Sequence, residues 1–371
     1  MRTVALLHSP TYNPLMAIWI IRAGGDGEYE AKFLQEGRVY VTWHDLDVNL
    51  LQLQDREQLH QALSDRYPDA KPKRVLNWVS QVWPFAHEIQ PGDLVILPLK
   101  SQRSIQIGEV TGGYQFAPEG PNPYFHWRSV KWLGEPIPRS HFGQDLLYSF
   151  GSSLTICRVR RNNAEARLAA MRASGWKPES IADQANLPQR EPNAAPDPDL
   201  EIGPSEPVVG TNLDELAMDQ IAKLIMARFK GHGLTKLVDA ILRAQGYTTY
   251  PSPEGADGGA DILAGAGPLG FGSPRLAVEV KSQSSPIDRP TVDKLLGAVT
   301  KFGAQEGLFV SWSGFRNNVQ KELAASFFRV RLWTQKELLE ALFANYDKLD
   351  EELKADLPLK RIWTVAAQDD S

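Results

Sequence analysis

Two short stretches hold the residues best able to do chemistry: Asp257-Gly-Gly-Ala-Asp261 and Val278-Glu279-Val280-Lys281. On a β-strand successive side chains alternate faces, so Glu279 and Lys281 point one way while Val278 and Val280 point into a core. Residues 265–274 between the stretches are rich in glycine, as a connecting turn would be. A hairpin across that turn sets Asp261 beside Glu279, which puts two carboxylates and one ammonium on a single rim. That trio suits hydrolysis of a phosphodiester. The carboxylates and the Val280 carbonyl can hold Mg²⁺, and Lys281 can orient a water or stabilise charge on the phosphorus centre. An isolated Glu-x-Lys is more often a solvated ion pair on an edge strand. Here the glycine-flanked aspartate and the order of elements favour the site. Asp257, just before two glycines, suits turn chemistry.

The elements that must position these residues follow a clear order. Apolar spacing predicts helices over 213–230 and 234–244, the first closed by Gly231 and the second by Gly246. Strands follow at 247–250, 260–264 and 276–281, then a helix over 290–302 and a buried strand at 307–311. A helix over 316–326, a strand at 328–333 and a helix over 335–343 complete the series. This is an α/β arrangement with a mixed sheet flanked by helices on both faces.

With these elements in place, residues 213–346 resemble the catalytic domain of the Mrr-type restriction endonucleases, in the PD-(D/E)xK nuclease superfamily. The resemblance rests on Leu237-Val238, Gln245-Gly-Tyr247, Asp257-Gly-Gly-Ala-Asp261, Val278-Glu279-Val280-Lys281, Arg289-Pro290 and Ser311-Trp-Ser-Gly-Phe315. It implies that Asp261, Glu279 and Lys281 are the metal-binding and catalytic residues, with Gln283 on the same face lining the pocket. It also implies Mg²⁺ as cofactor, with Mn²⁺ able to substitute. Many members of the family carry a glutamate where this chain has Thr235, which leaves one or two metals open. Lys294, Lys301, Arg316 and Lys321 fall on helices expected to flank the cleft and are candidates for DNA phosphate contacts, although scattered lysines are usually solvated.

Residues 176–212 hold seven prolines among acidic and small residues and read as a linker. The expected organisation is therefore 1–175, a linker over 176–212, and a nuclease domain over 213–371. Strand patterns at 17–22, 38–43, 93–99 and 104–110, with a helix over 56–66, make the first part a small, mainly-β barrel or strongly curved sheet. Ala17-Ile-Trp-Ile-Ile-Arg-Ala-Gly24, Gly37-Arg-Val-Tyr-Val-Thr-Trp43, Gly92-Asp-Leu-Val-Ile-Leu-Pro98 and Ile107-Gly-Glu-Val-Thr-Gly-Gly-Tyr114 resemble EVE-like domains, relatives of the PUA fold. The resemblance implies a pocket for a flipped-out, modified base. Trp43, Trp83 and Phe85 are the candidate walls, and Arg22, Ser101 and Arg103 the candidate polar contacts. Core packing accounts for most aromatic residues in such a domain.

Composition narrows the setting. The 371 residues carry a net charge of −5 and 42% hydrophobic residues, a globular balance that argues against non-specific coating of nucleic acid. The single cysteine, Cys157, excludes an internal disulfide and a thiolate zinc cluster. No apolar run is long enough to cross a bilayer, and residues 1–8 are too short an apolar stretch for a secretory signal. The expectation is a cytoplasmic, modification-dependent (type IV-like) restriction endonuclease, homodimeric on double-stranded DNA. Two alternatives stand beside it: a defence effector nuclease switched on by a small nucleotide or partner protein at the first domain, and a DNA-binding module with a degenerate nuclease fold.

Overall fold

The computed structural model describes residues 16–152, 154–179, 213–253, 259–316, 319 and 326–362. The chain divides into two compact units that meet in sequence between Leu216 and Ala217. The expected linker falls almost entirely outside the described residues, as do Asp257 and Lys321. Its first residues are not linker. Trp176 donates its amide to Met171, and Glu179 donates its amide to the His141 carbonyl and pairs with the buried Arg167, so 176–179 pack into the first unit.

The first unit is built on an eight-stranded sheet: β1 (Ile18–Ile21), β2 (Arg38–Val41), β3 (Leu94–Leu99), β4 (Ser104–Val110), β5 (Gln115–Phe116), β6 (His126–Trp132), β7 (Ile137–Pro138) and β8 (Ile156–Val159). The main path runs β2-β6-β4-β3-β1-β8, with β1 and β3 parallel and the other pairs antiparallel. Its ends stay apart among the described residues, so the expected curved sheet is an open half-barrel. Both faces are covered. Trp19, Ile21, Val95 and Leu97 pack with α1 (Glu30–Glu36), α2 (Arg56–Arg66) and α3 (Pro72–His87). Ile18, Ile20, Leu94 and Ile96 pack with α4 (Gln144–Phe150) and α5 (Ala164–Ala173). Burial on both sides is why these central strands are unbroken apolar runs rather than alternating ones.

The second unit has the strand order β13-β12-β11-β10-β9, formed by β9 (Tyr247–Pro251), β10 (Ile262–Ala266), β11 (Gly272–Lys281), β12 (Glu306–Ser311) and β13 (Val330–Trp333). Strands β9, β10 and β11 are antiparallel, and β11, β12 and β13 are parallel. Ile262, Ala264, Val278, Val280 and Val310 face a core shared with α6 (Leu213–Arg228), α7 (His232–Ala244) and α9 (Gln335–Asn345). Ala277 and Phe309 face the other core, beneath α8 (Arg289–Lys301), and α10 (Glu351–Asp356) closes the described chain. This is the expected mixed sheet with helices on both sides. No helix among the described residues is long and apolar enough to cross a membrane.

Candidate active site

Strand parity places the reactive residues. Val278 and Val280 are buried against α6 and α7, so Glu279 and Lys281 emerge on the α8 side. In the antiparallel ladder Ile262 lies opposite Val278, which sets Asp261 and Glu279 across from each other. Two hydrogen bonds lock this corner: the Asp261 amide donates to the Val278 carbonyl at 2.8 Å, and the Val280 amide donates to Asp261 Oδ2 at 2.6 Å. Asp261 is therefore held by the strand it serves, with one carboxylate oxygen fixed in place. The second carboxylate carries the lysine, since Lys281 Nζ lies 2.5 Å from Glu279 Oε1. The Glu279 side chain is 18% exposed and that of Lys281 36%.

The electrostatics suit a cation. Burial is the largest influence on Glu279 and, with the negative charge of Asp261, it pushes the carboxyl up against the opposing pull of Lys281 and Lys294. Burial disfavours the charged form of Lys281, but the bond to Glu279 and the two nearby carboxylates outweigh it and hold the ammonium above its ordinary value. Two adjacent carboxylates supply hard oxygen ligands, a donor set that fits a divalent ion such as Mg²⁺. Among the described residues no group of three or more acidic, histidine or cysteine side chains is placed to hold a metal. Thr235 is buried on α7 where a third carboxylate was considered.

The neighbouring candidates separate. Gln283 turns away onto Ser285, donating to its carbonyl and hydroxyl at 3.1 Å each. Lys294, exposed on α8, acts electrostatically on Glu279. Lys301 ends the same helix, seven residues further on and about 10 Å along its axis. Arg316 is exposed and lies close enough to Asp288 to help lower its carboxyl. A seam of serines escaped the sequence reading. Ser282 Oγ accepts the Gly231 amide at 3.1 Å, tying the start of α7 to the residue after Lys281, and Ser313 Oγ donates to the Ser285 carbonyl at 2.5 Å. The run Ser282-Gln-Ser-Ser285 directly after the lysine was its signal.

Of the six residues expected to form a base pocket, Phe85 lies in the first core and Trp43 and Trp83 pack against that core. Phe85 is wholly buried in the core, edge-on to Tyr114. Arg22 is also buried, and its guanidinium donates to the carbonyls of Phe150 and Ser152. Both are structural residues rather than pocket lining. Trp83 stacks on His87 with ring centroids 3.7 Å apart. Ser101 and Arg103 lie in the β3–β4 turn, Arg103 in the left-handed region at φ 47°. Trp43, just beyond β2, and Trp83 are both half-buried and pack against the first core.

A five-stranded mixed sheet that sets two carboxylates and a lysine on neighbouring strands defines the class: a nuclease of the PD-(D/E)xK type. Residues 226–342 match the Mrr-type catalytic family described as restriction endonuclease, and this part of the chain is a restriction endonuclease domain, a DNA-cutting enzyme. Residues 19–146 match a family described as a domain of unknown function (DUF8426). A comparison with curated proteins returns no match. Two solved structures overlap with the chain. The DNA modification-dependent restriction endonuclease AspBHI is 16% identical at a TM-score of 0.31, covering 77% of this chain and 72% of its own. The MspJI restriction endonuclease in complex with a 27-mer oligonucleotide is 14% identical at 0.29, covering 92% and 79%. Superpositions this loose establish no shared detail.

Proposed function

We propose that the protein is a modification-dependent restriction endonuclease. Its first unit, an EVE-like reader, recognises a modified base in foreign DNA, and its second hydrolyses the backbone nearby using Mg²⁺. The observation that carries the catalytic half is the convergence of Asp261, Glu279 and Lys281 at the ends of β10 and β11. Asp261, Glu279 and the Val280 carbonyl would hold the metal. When bound, it supplies Lewis acidity toward the phosphate and lowers the pKa of a water. The protein's own residues do the positioning. The Val280 amide fixes the direction of the Asp261 carboxylate, burial keeps Glu279 poised to take a cation, and Glu279 holds the Lys281 ammonium on the open side. From there Lys281 orients the attacking water or balances charge on the phosphorus centre. Lys294, which acts on Glu279, is the basic candidate best supported to meet a DNA phosphate, with Lys301 and Arg316 as further candidates. Cutting both strands takes two such sites, so the active form is a homodimer.

The test is Mg²⁺-dependent cleavage of matched phage DNAs carrying cytosine, 5-methylcytosine, 5-hydroxymethylcytosine or its glucosylated form, with Lys281→Ala alongside. Cutting confined to a modified DNA and lost in the variant is the expected result. Equal cutting of all four keeps the nuclease and removes cytosine-modification sensing. No cutting of any favours a nuclease that waits for an activating nucleotide or partner.

A further inference from the structure

The first unit has an aromatic cluster of which the sequence reading assigned only Trp43. Four segments meet there: the β1–α1 loop, the stretch after β2, the end of α2 and the β5–β6 loop. The Tyr29 hydroxyl lies 3.2 Å from His44 Nε2, and the Tyr67 hydroxyl donates to the His44 carbonyl at 2.5 Å. Tyr29 meets Tyr124 edge-on at 5.7 Å, and Tyr124 in turn meets the buried Tyr40 at 5.2 Å. Asp45, left-handed at φ 63°, exchanges two hydrogen bonds with Asn122, closing the β5–β6 loop against the segment after β2. Tyr29, Trp43, Tyr67 and Tyr124 all rest on the first core, yet none is fully buried.

These rings differ from the core aromatics. Phe33 and Phe85 lose all their exposure, as packing demands. The cluster keeps hydroxyl, imidazole and amide groups at its outer rim, with His44 and Asn122 exposed. His44 is held in place through its carbonyl and one ring nitrogen. Directly after Tyr67 come Lys71, Lys73 and Arg74, exposed or half-exposed, with Asp69 among them and Arg74 over the Trp78 ring. Asp45 and Asp47 act on Tyr67, and Glu28 on Tyr29. Rigid half-exposed rings, fixed polar groups and a cationic flank are what a single nucleotide requires: a π face for the base, partners for its edge, and charge for its phosphates.

We propose that the rim formed by Tyr29, Trp43, His44, Tyr67 and Tyr124 seats the modified nucleobase after its extrusion from the duplex. This rests on the proposed function and moves the reading site away from Arg22 and Phe85. Rings stack on the base, while the Tyr29 hydroxyl and the His44 imidazole meet its polar edge. Lys71, Lys73 and Arg74 take the flanking phosphates.

The experiment measures binding by the full-length protein in EDTA, so that no cutting intervenes. The probes are duplexes carrying one cytosine, 5-methylcytosine, 5-hydroxymethylcytosine or glucosylated hydroxymethylcytosine, each with a neighbouring 2-aminopurine to report extrusion. The variants are Trp43→Ala, His44→Ala and Tyr29→Phe. The last two remove one polar group each and keep the test open if Trp43→Ala does not fold. The expected result is a preference of the wild type for one modified duplex, with a rise in 2-aminopurine fluorescence. That preference falls by roughly tenfold or more in Trp43→Ala and His44→Ala, less in Tyr29→Phe, with affinity for the unmodified duplex kept. A wild-type preference that survives all three variants overturns this site and leaves the proposed function standing. An equal loss of affinity for every duplex also overturns it, because it marks a structural role. No wild-type preference at all defeats the proposed recognition and this site together.

Discussion

Lys281 keeps more than a third of its side chain in solvent while its ammonium rests on Glu279, so the pair adds little to stability. Its value lies in aim. Lys281→Ala should lower cleavage by roughly 10²–10⁴-fold while changing stability by about 1 kcal/mol or less, read by initial rates and by urea unfolding. A comparable loss of both would mark the lysine as structural. His126 presents the opposite case. It is wholly buried, with Nε2 2.6 Å from the Leu46 carbonyl and Nδ1 2.7 Å from the Tyr114 hydroxyl. Burial pushes its pKa down to about 4 from the ordinary 6.5, against a smaller upward pull from the Leu46 carbonyl and Asp47. Because the folded value lies below the unfolded one, this stabilisation is complete above pH 6.5. It is lost as pH falls toward 4, by on the order of 3 kcal/mol. The urea midpoint of His126→Gln should therefore vary less between pH 7 and pH 4 than that of the wild type. Equal pH slopes would show that the histidine is not the sensitive group.

At the scale of elements, the site depends on how β11 sits between its neighbours. Glu279 lies beside Phe309 in the parallel ladder, and Phe309 is fully buried, edge-on to Phe315 at 5.6 Å. Phe309→Ala should cost about 3–5 kcal/mol, measured by chemical unfolding, and should loosen the strand that carries the carboxylate. In the first unit Gly108 on β4 has no room for a side chain. A Cβ there would meet Val130 Cγ1 at 2.2 Å and the Trp132 ring at 2.7 Å. Gly108→Ala should destabilise by about 1–3 kcal/mol through overpacking, and unchanged stability would mean that the β4–β6 pair yields easily. Helix α3 was missed because Pro84 lies within it and its aromatic residues were read as ligand walls. The spacing of Val75, Trp78, Val79, Val82, Phe85 and Ala86, all buried, is that of a helical core face and would have found it.

At the scale of the molecule, each unit has its own cores and its own sheet. Phe85→Ala and Phe309→Ala should therefore lower different parts of a calorimetric unfolding trace; a shared shift from either would mean that the units unfold as one.

The sequence alone determined most of the described elements of the second unit; the expected helix over 316–326 lies almost wholly outside the described residues. Its helices carry a 3.6-residue spacing and its strands a two-residue alternation, and both are local properties of the chain. The same alternation sufficed to point Glu279 and Lys281 one way, and the glycine-rich turn to bring Asp261 opposite Glu279. Only the tertiary structure decided which way Gln283 turns, because that depends on Ser285 in a loop without periodicity. It also decided which aromatic and basic residues of the first unit are packing and which are surface. Arg22 and Trp43 both lie just beyond apolar strands and are alike in their local patterns. Burial and the carbonyls that Arg22 meets at Phe150 and Ser152, far along the chain, separate them. Contacts between distant residues leave no mark on local spacing, so the partners of Arg22 appear only in three dimensions.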